Sequence, residues 1–98
     1  MRERYRYLVL EVKDVEPASA ADIIKSIVLK YFGIVGLSKV LPKLIEAYPS
    51  KGLAIVKVLA DGVDLVRASM ALSSNAPLRV VKVTGTERKA RAIAVSTR

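Results

Sequence analysis

The 98-residue sequence contains no cysteine and no histidine. Their absence excludes disulfides, thiolate nucleophiles and imidazole bases, and it removes the usual protein ligands of zinc. Glutamine and tryptophan are also missing and Asn75 is the only asparagine, a depletion of thermolabile residue types that is typical of hyperthermophile proteins. Because most catalytic mechanisms need side chains that this chain lacks, a binding function is favoured over an enzymatic one.

Long apolar runs are missing as well. No stretch approaches the ~18 residues of a membrane-spanning helix, and the N-terminus, with arginine at positions 2, 4 and 6, lacks the apolar core of a signal peptide. We therefore expect a cytoplasmic protein without a membrane partner. The 52% apolar and 27% charged content predicts one folded domain over residues 1–98 rather than a disordered tail.

Acidic residues are scarce relative to basic ones. Seventeen lysines and arginines against nine aspartates and glutamates give a net charge of +8 and a pI near 10.1. From Arg67 onward there are seven basic residues and a single acid, Glu87, and a second basic cluster opens the chain. Such a distribution predicts contact with phosphate groups, in RNA or at an anionic membrane surface.

The periodicity of apolar residues predicts seven elements in the order β-α-β-β-α-β plus a terminal helix. This order predicts an α+β fold, a split ferredoxin-like sandwich resembling an RNA-recognition motif, with a four-stranded antiparallel sheet and a C-terminal helix. The predicted strands are Tyr5–Val12, 40–48, Leu53–Leu59 and Leu78–Thr84, and Pro42 favours an edge position for the second of them. The first predicted helix runs from about 19 to Gly33, and the second starts at Asp61 or Gly62 and ends before Asn75. The terminal basic helix runs from Glu87 to about 95, with Thr86 as its N-cap.

Both faces of the predicted sheet carry apolar side chains. On the third strand, alternate residues from Ala54 to Val58 face one side, while Leu53 and Ile55 face the other. The two crossover helices cover only one face, so the second face needs a cover of its own. That cover is either the terminal helix or a protein partner, and Leu53 and Ile55 are the candidate partner contacts.

The third strand lacks the aromatic rings on which RNA-recognition motifs stack bases. Residues 51–58 keep the register of the motif, but aliphatic side chains replace every aromatic one. Aliphatic side chains do not supply the ~1 to 3 kcal/mol per base that stacking on a ring contributes. Recognition of RNA shape and phosphates is therefore favoured over readout of a single-stranded sequence.

The start of the terminal helix has the chemistry of a phosphate-binding site. Backbone amides after Gly85 carry partial positive charge, Thr86 offers a hydroxyl group, and three cations follow on a face that we expect to be solvated. We predict no catalytic residue and no metal ligand. The predicted RNA-binding residues are Arg2, Arg4, Arg6, Arg79, Lys82, Thr86, Arg88, Lys89 and Arg91.

Three segments, read together, resemble the archaeal ribonuclease P protein component 2 family. They are residues 4–12, residues 44–48 with 51–56, and residues 83–91. The most specific part is the closing stretch Thr84-Gly-Thr-Glu-Arg-Lys-Ala-Arg91. The resemblance runs in the same order over nearly the whole chain.

This resemblance implies a non-catalytic protein subunit of ribonuclease P, the ribonucleoprotein endonuclease that removes the 5′ leader from precursor tRNA. Catalysis would then belong to the RNA subunit and its Mg²⁺ ions, with no cofactor bound by the protein. The implied partners are ribonuclease P RNA, protein component 3 and the other protein subunits, with precursor tRNA met indirectly and a homodimer placed within a heterotetramer. With component 3, the chain would help the RNA fold and lower its magnesium requirement.

Three other functions remain open at this stage. An acylphosphatase-like enzyme on the same fold would need an arginine-rich cradle and an asparagine that orients water, whereas Asn75 lies in a turn before Pro77. A regulatory ligand-binding module would need glycine-rich loops at a dimer interface, for which Gly33 and Gly36 hardly suffice. A stand-alone module that binds structured RNA would need only the basic surface.

Overall fold

The computed structural model describes residues 4–73 and 75–97 and confirms the predicted order of elements. Short 3₁₀ turns precede α1, β3 and α2. The strands and helices are β1 (Tyr5–Val12), α1 (Ala20–Ser38), β2 (Lys43–Tyr48), β3 (Leu53–Leu59), α2 (Val63–Leu72), β4 (Leu78–Thr84) and α3 (Glu87–Ser96).

The four strands form one antiparallel sheet in the order β2-β3-β1-β4. This is the arrangement of the split ferredoxin-like fold, so the predicted fold class is confirmed. β2 lies at an edge, as Pro42 suggested, but it begins at Lys43 rather than at Val40. The reason is that the backbone N–H groups of Val40 and Leu41 still bond to the carbonyl of Leu37, at 3.0 Å each, where α1 ends.

The first helix is longer than predicted and is kinked at Gly33. This residue has φ 68° and ψ −169°, outside the helical region, yet the helix resumes after it and continues to Ser38. Glycine adopts this conformation at little cost because it has no Cβ atom. Gly33 therefore kinks α1 where the sequence predicted its end.

One face of the sheet packs against α1 and α2. Its core is formed by alternate residues of the strands and by the inward faces of the two helices, including Leu8, Leu10, Ile24, Val28, Val56, Val58 and Val66, each at most 1% exposed. The end of α1 and the start of α2 approach closely at Gly62. A Cβ atom there would lie 2.4 Å from the carbonyl oxygen of Lys39, so the contact requires glycine.

The other face of the sheet packs against α3. Ala90 and Ala94 of this helix are fully buried with Val9, Leu53 and Ile55 in a second apolar cluster. Of the two covers that the sequence allowed, the structure therefore shows the terminal helix. Leu53 is 2% exposed and Ile55 is 0% exposed, so a partner cannot reach either side chain while α3 is in place, contrary to the expectation that they form its contact surface.

Polar contacts hold α3 at its C-terminal end. The Nζ atom of Lys51, in the turn between β2 and β3, donates to the carbonyl oxygens of Ala94, Val95 and Thr97 at 3.1, 2.5 and 3.0 Å. A cation at a helix C-terminus also interacts favourably with the helix dipole. Lys51 thus fixes the end of α3 over the β2–β3 turn.

Candidate nucleic-acid interface

Basic residues that are far apart in the sequence meet at one end of the sheet. Because β1 and β4 are antiparallel neighbours, with Tyr7 opposite Thr84, the start of β1 lies beside the end of β4. Nη1 of Arg6 lies 4.0 Å from the position that a Cβ atom on Gly85 would take. We call this region the basic end, and it comprises Arg4, Arg6, Lys82, Gly85, Thr86, Arg88 and Lys89.

The predicted N-cap of α3 is confirmed. Thr86 is extended, with φ −136° and ψ 147°, and its Oγ1 accepts a hydrogen bond from the backbone N–H of Lys89 at 3.3 Å. Oγ1 of Thr84 donates to the carbonyl oxygen of Thr86 at 2.8 Å, which fixes the turn between β4 and α3. The Thr86 oxygen is thus used within the cap, while its hydroxyl hydrogen can still be donated to a ligand.

A shallow depression of about 420 Å³ lies between the end of β4 and the first turns of α3. Two exposed lysines, Lys82 and Lys89, lie at this depression, and small or apolar groups supply the rest of its surface. An anion placed there would meet two ammonium groups and few competing acceptors. The lining residues are Lys82, Val83, Thr84, Gly85, Lys89, Ala92 and Ile93.

Arg79 lies apart from the basic end, although the sequence grouped them. It faces Glu11 at the opposite end of β4 and donates to that carboxylate through Nε at 3.3 Å and Nη2 at 3.2 Å. This hydrogen bond, assisted by the charge of the guanidinium group, lowers the pKa of Glu11, and the carboxylate raises the pKa of Arg79. The charge of Arg79 is therefore matched within the chain.

Arg91 is only partly exposed and has carboxylate partners, whereas the sequence predicted a fully solvated side chain. Its guanidinium group is half-buried and donates to Glu87 at 2.9 Å, one helical turn earlier, and also to Glu46 on β2. Position 91 belongs, with Glu87, to the helical stripe that contains the buried Ala90 and Ala94, at the spacing i, i+3, i+4, i+7. Arg91 thus ties α3 to β2.

The cations of the basic end have no such partners. Within the described ranges, every ion pair involves Arg79 or Arg91, so Arg4, Lys82, Arg88 and Lys89 have no carboxylate partner there and their side chains are exposed. Arg6 is half-buried, and its Nη1 donates to the carbonyl oxygen of Tyr5 at 2.9 Å. Arg2, also predicted to bind RNA, lies outside the described residues.

Two further lysines, which the sequence did not single out, come together on the second face. Lys43 of β2 and Lys57 of β3 are opposite each other in the strand register. The alternation of β3 placed Lys57 on this face, but its neighbour depends on how β2 pairs with β3. The signal that could have identified this lysine pair is the register of the hairpin formed by β2 and β3.

Carboxylates do not gather anywhere in the part of the chain that the structure describes. No group of three or more acidic side chains there could hold a metal ion, and every buried side-chain nitrogen or oxygen has a hydrogen-bond partner. Asn75 is exposed in the turn between α2 and β4. Over residues 4–73 and 75–97, no helix has the length and apolar character that crossing a membrane requires.

Comparison with known proteins gives matches over nearly the whole chain. The sequence profile of the Rpp14/Pop5 family matches residues 6–95, a range that reaches from β1 into α3. A protein of Methanocaldococcus jannaschii named ribonuclease P protein component 2 is 30% identical over 99 aligned positions. That alignment covers 93% of this chain and 72% of the relative.

Proposed function

The chain belongs to the Rpp14/Pop5 family and is a protein subunit of ribonuclease P, in which we propose that it binds and stabilises the catalytic RNA through its basic end without being catalytic itself. The observation that carries this proposal is the convergence of Arg4 and Arg6 with Lys82, Arg88 and Lys89 at one end of the sheet. These cations come from both ends of the sequence, and the described acidic residues do not neutralise them.

Fixed positive charge is what a folded RNA needs where its phosphates crowd together. Each phosphate that a basic side chain neutralises releases condensed counterions, so binding is favourable and depends on salt. The basic end lies on a sheet end and a capped helix start, so its charges are held in place before the RNA arrives. In this proposal Mg²⁺ acts on the RNA, precursor tRNA is met indirectly, and the protein lowers the magnesium concentration that the RNA needs.

A separate surface is proposed for protein component 3. Five of the nine large apolar side chains that are exposed among the described residues lie between positions 29 and 41. Ile34 and Val35 are 74% and 70% exposed, just after the kink of α1. A concentration of exposed apolar side chains marks a surface that binds protein. We call it the α1 patch, and it comprises Leu29, Phe32, Ile34, Val35 and Leu41.

The backbone at Leu41 supports this role for the α1 patch. Leu41 has φ 46°, a left-handed conformation that costs a residue with a side chain about 1 to 3 kcal/mol. It lies just after the end of α1, where glycine or asparagine is usual, and its side chain is 54% exposed. A leucine in this position contributes little to the core of the chain, whereas contact with a partner would offset the strain.

Replacing Ile34 and Val35 together by aspartate should weaken binding to component 3 by about 30-fold or more, since loss of an interface hot spot costs about 2 kcal/mol. Isothermal titration calorimetry with purified component 3 measures this change. The control is Val95→Asp, because Val95 is 67% exposed on α3 and lies outside the patch. Unchanged affinity would contradict the assignment. The patch would instead be assigned to a second copy of the chain if two results came together. The variant alone would have the mass of a monomer where the wild-type chain has that of a dimer, and the variant would still bind component 3.

The subunit role is tested by precursor-tRNA cleavage at limiting magnesium, with the RNA subunit and component 3 present. Adding this chain should raise the cleavage rate and lower the magnesium concentration at half-maximal rate, because its cations reduce repulsion between RNA phosphates. If the chain binds the RNA without changing cleavage, it is a stand-alone RNA-binding module. Cleavage by the chain alone, or its hydrolysis of acyl phosphates, would show that the chain is itself an enzyme.

A further inference from the structure

Two lysines face each other across β2 and β3, and neither has an ion-pair partner in the described part of the chain. Lys43 and Lys57 are directly opposite in the antiparallel register, so their side chains leave the sheet on the same face. This is the face that α3 covers, since Lys57 alternates along β3 with the buried Leu53 and Ile55. Like charges in this position destabilise a sheet. The free chain therefore retains an unfavourable pair.

Two carboxylates among the described residues of this region are already used. Glu46, three residues after Lys43 on β2, and Glu87 on α3 both accept hydrogen bonds from Arg91. No ion pair that the structure gives for residues 4–73 and 75–97 includes either lysine. Lys43 is exposed and Lys57 is half-buried, so an anion from outside can reach the pair.

A tyrosine ring positions one of the two ammonium groups. Nζ of Lys57 lies 4.3 Å from the centroid of the Tyr5 ring, close enough for a cation–π interaction, and Tyr5 is 37% exposed. This contact restricts a side chain that would otherwise sample many rotamers in solvent. We call Lys43, Lys57 and Tyr5 the lysine corner.

The course of α3 leaves the lysine corner open. The helix starts after Gly85, at the end of β4, and its C-terminus is bound by Lys51 in the β2–β3 turn. It therefore crosses the sheet obliquely, away from the corner where β2 begins and β3 ends. The carbonyl oxygen of Arg4 accepts a hydrogen bond from the N–H of Ala60 at 2.8 Å, so a residue of the basic end adjoins this region.

We propose that the lysine corner binds a phosphate group of the RNA backbone, which extends the RNA-binding surface from the basic end across the open part of the second face. A phosphate offers oxygens to both ammonium groups and removes their mutual repulsion. Continuity with the basic end through Arg4 favours RNA over an acidic protein as the source of that anion. The inference rests on the proposed function, because the RNA is that of ribonuclease P.

The test is a salt titration of RNA binding by the double variant Lys43→Gln, Lys57→Gln. Removing one phosphate contact should reduce the log–log slope of affinity against salt by about 0.7 to 0.9, and should lower affinity at 0.1 M salt about 5- to 8-fold. The matched control is Lys25→Gln with Lys30→Gln. Both of these lysines are exposed on α1, and Nζ of Lys30 lies 5.3 Å from the centroid of the Tyr31 ring. The control should keep the wild-type slope.

Thermal unfolding of the free chain gives a second readout. The single variant Lys43→Gln, which keeps the contact between Lys57 and Tyr5, should raise the Tm by about 1 to 5 °C at low salt because the cross-strand repulsion is relieved, and the gain should shrink at high salt. A fall in Tm would show that the pair serves the fold and would overturn the proposal.

The failures of the two proposals are distinguishable. A wild-type slope for the double variant, with binding by the wild-type chain still dependent on salt, overturns the lysine corner alone. Loss of component 3 binding with the RNA slope unchanged would assign the corner to an acidic protein surface, which also overturns it. If the wild-type chain shows no salt-dependent RNA binding, the proposed function fails as well.

Discussion

Replacing Lys82, Arg88 and Lys89 together by glutamine is expected to lower the affinity for ribonuclease P RNA by about 100- to 500-fold at 0.1 M salt. Each phosphate contact contributes about 0.7 to 0.9 to the log–log slope of affinity against salt, which is a factor of about 5 to 8 at that concentration. All three side chains are exposed, and none has an ion-pair partner in the described part of the chain. Filter binding with the RNA subunit measures the loss.

Because these three side chains hold nothing else in place, the variant should fold as the wild-type chain does. Arg91 is left out of it, since its bonds to Glu46 and Glu87 tie α3 to β2. The control replaces three exposed lysines elsewhere, Lys13, Lys25 and Lys30, and has the same net charge as the variant. An equal loss in this control would show that binding follows net charge rather than the basic end.

Replacing Ala94 by glutamate is expected to lower the free energy of unfolding by about 3 kcal/mol or more. Ala94 is 0% exposed and packs with Leu53 and Ile55, so a carboxylate there would be buried without a partner. Urea denaturation measures the change, and binding of a hydrophobic dye reports whether α3 has left the sheet. The control is Ala92→Glu on the same helix, where the side chain is exposed and the expected change is within about 0.5 kcal/mol.

The pair of variants tests whether α3 is a permanent cover of the second face. Equal stability of the Ala94→Glu and Ala92→Glu chains would show that α3 does not seal the sheet. Leu53 and Ile55 would then again become candidates for contact with a partner. A large difference between the two variants, as expected, leaves the α1 patch as the apolar surface available to component 3.

Local signals were enough to predict most of the fold. β1, β3 and β4 have the bounds that alternation and turn residues predicted, and Thr86 caps α3 as its position before a basic helix indicated. The misjudged boundaries are those where local signals are ambiguous. Glycine is compatible with either a helix end or a kink, and at Gly33 the helix resumes after a kink.

The cations of the site were predicted as a set, but the sequence could not tell which of them are free. Arg79 is paired because the register of β1 and β4 places it opposite Glu11. Arg91 is paired because α3 packs near the edge strand that carries Glu46. Long-range pairings of this kind depend on register and helix placement, which the periodicity of a single segment does not encode. For the same reason, the sequence did not reveal that Lys43 lies opposite Lys57.

The most direct test of RNA binding through the basic end is a salt titration that compares the wild-type chain with the Lys82, Arg88 and Lys89 variant. Affinity of the wild-type chain for ribonuclease P RNA should fall steeply as salt rises, and the slope of the variant should be shallower by about two to three. A wild-type affinity that does not respond to salt, or identical slopes for the two chains, would contradict the account.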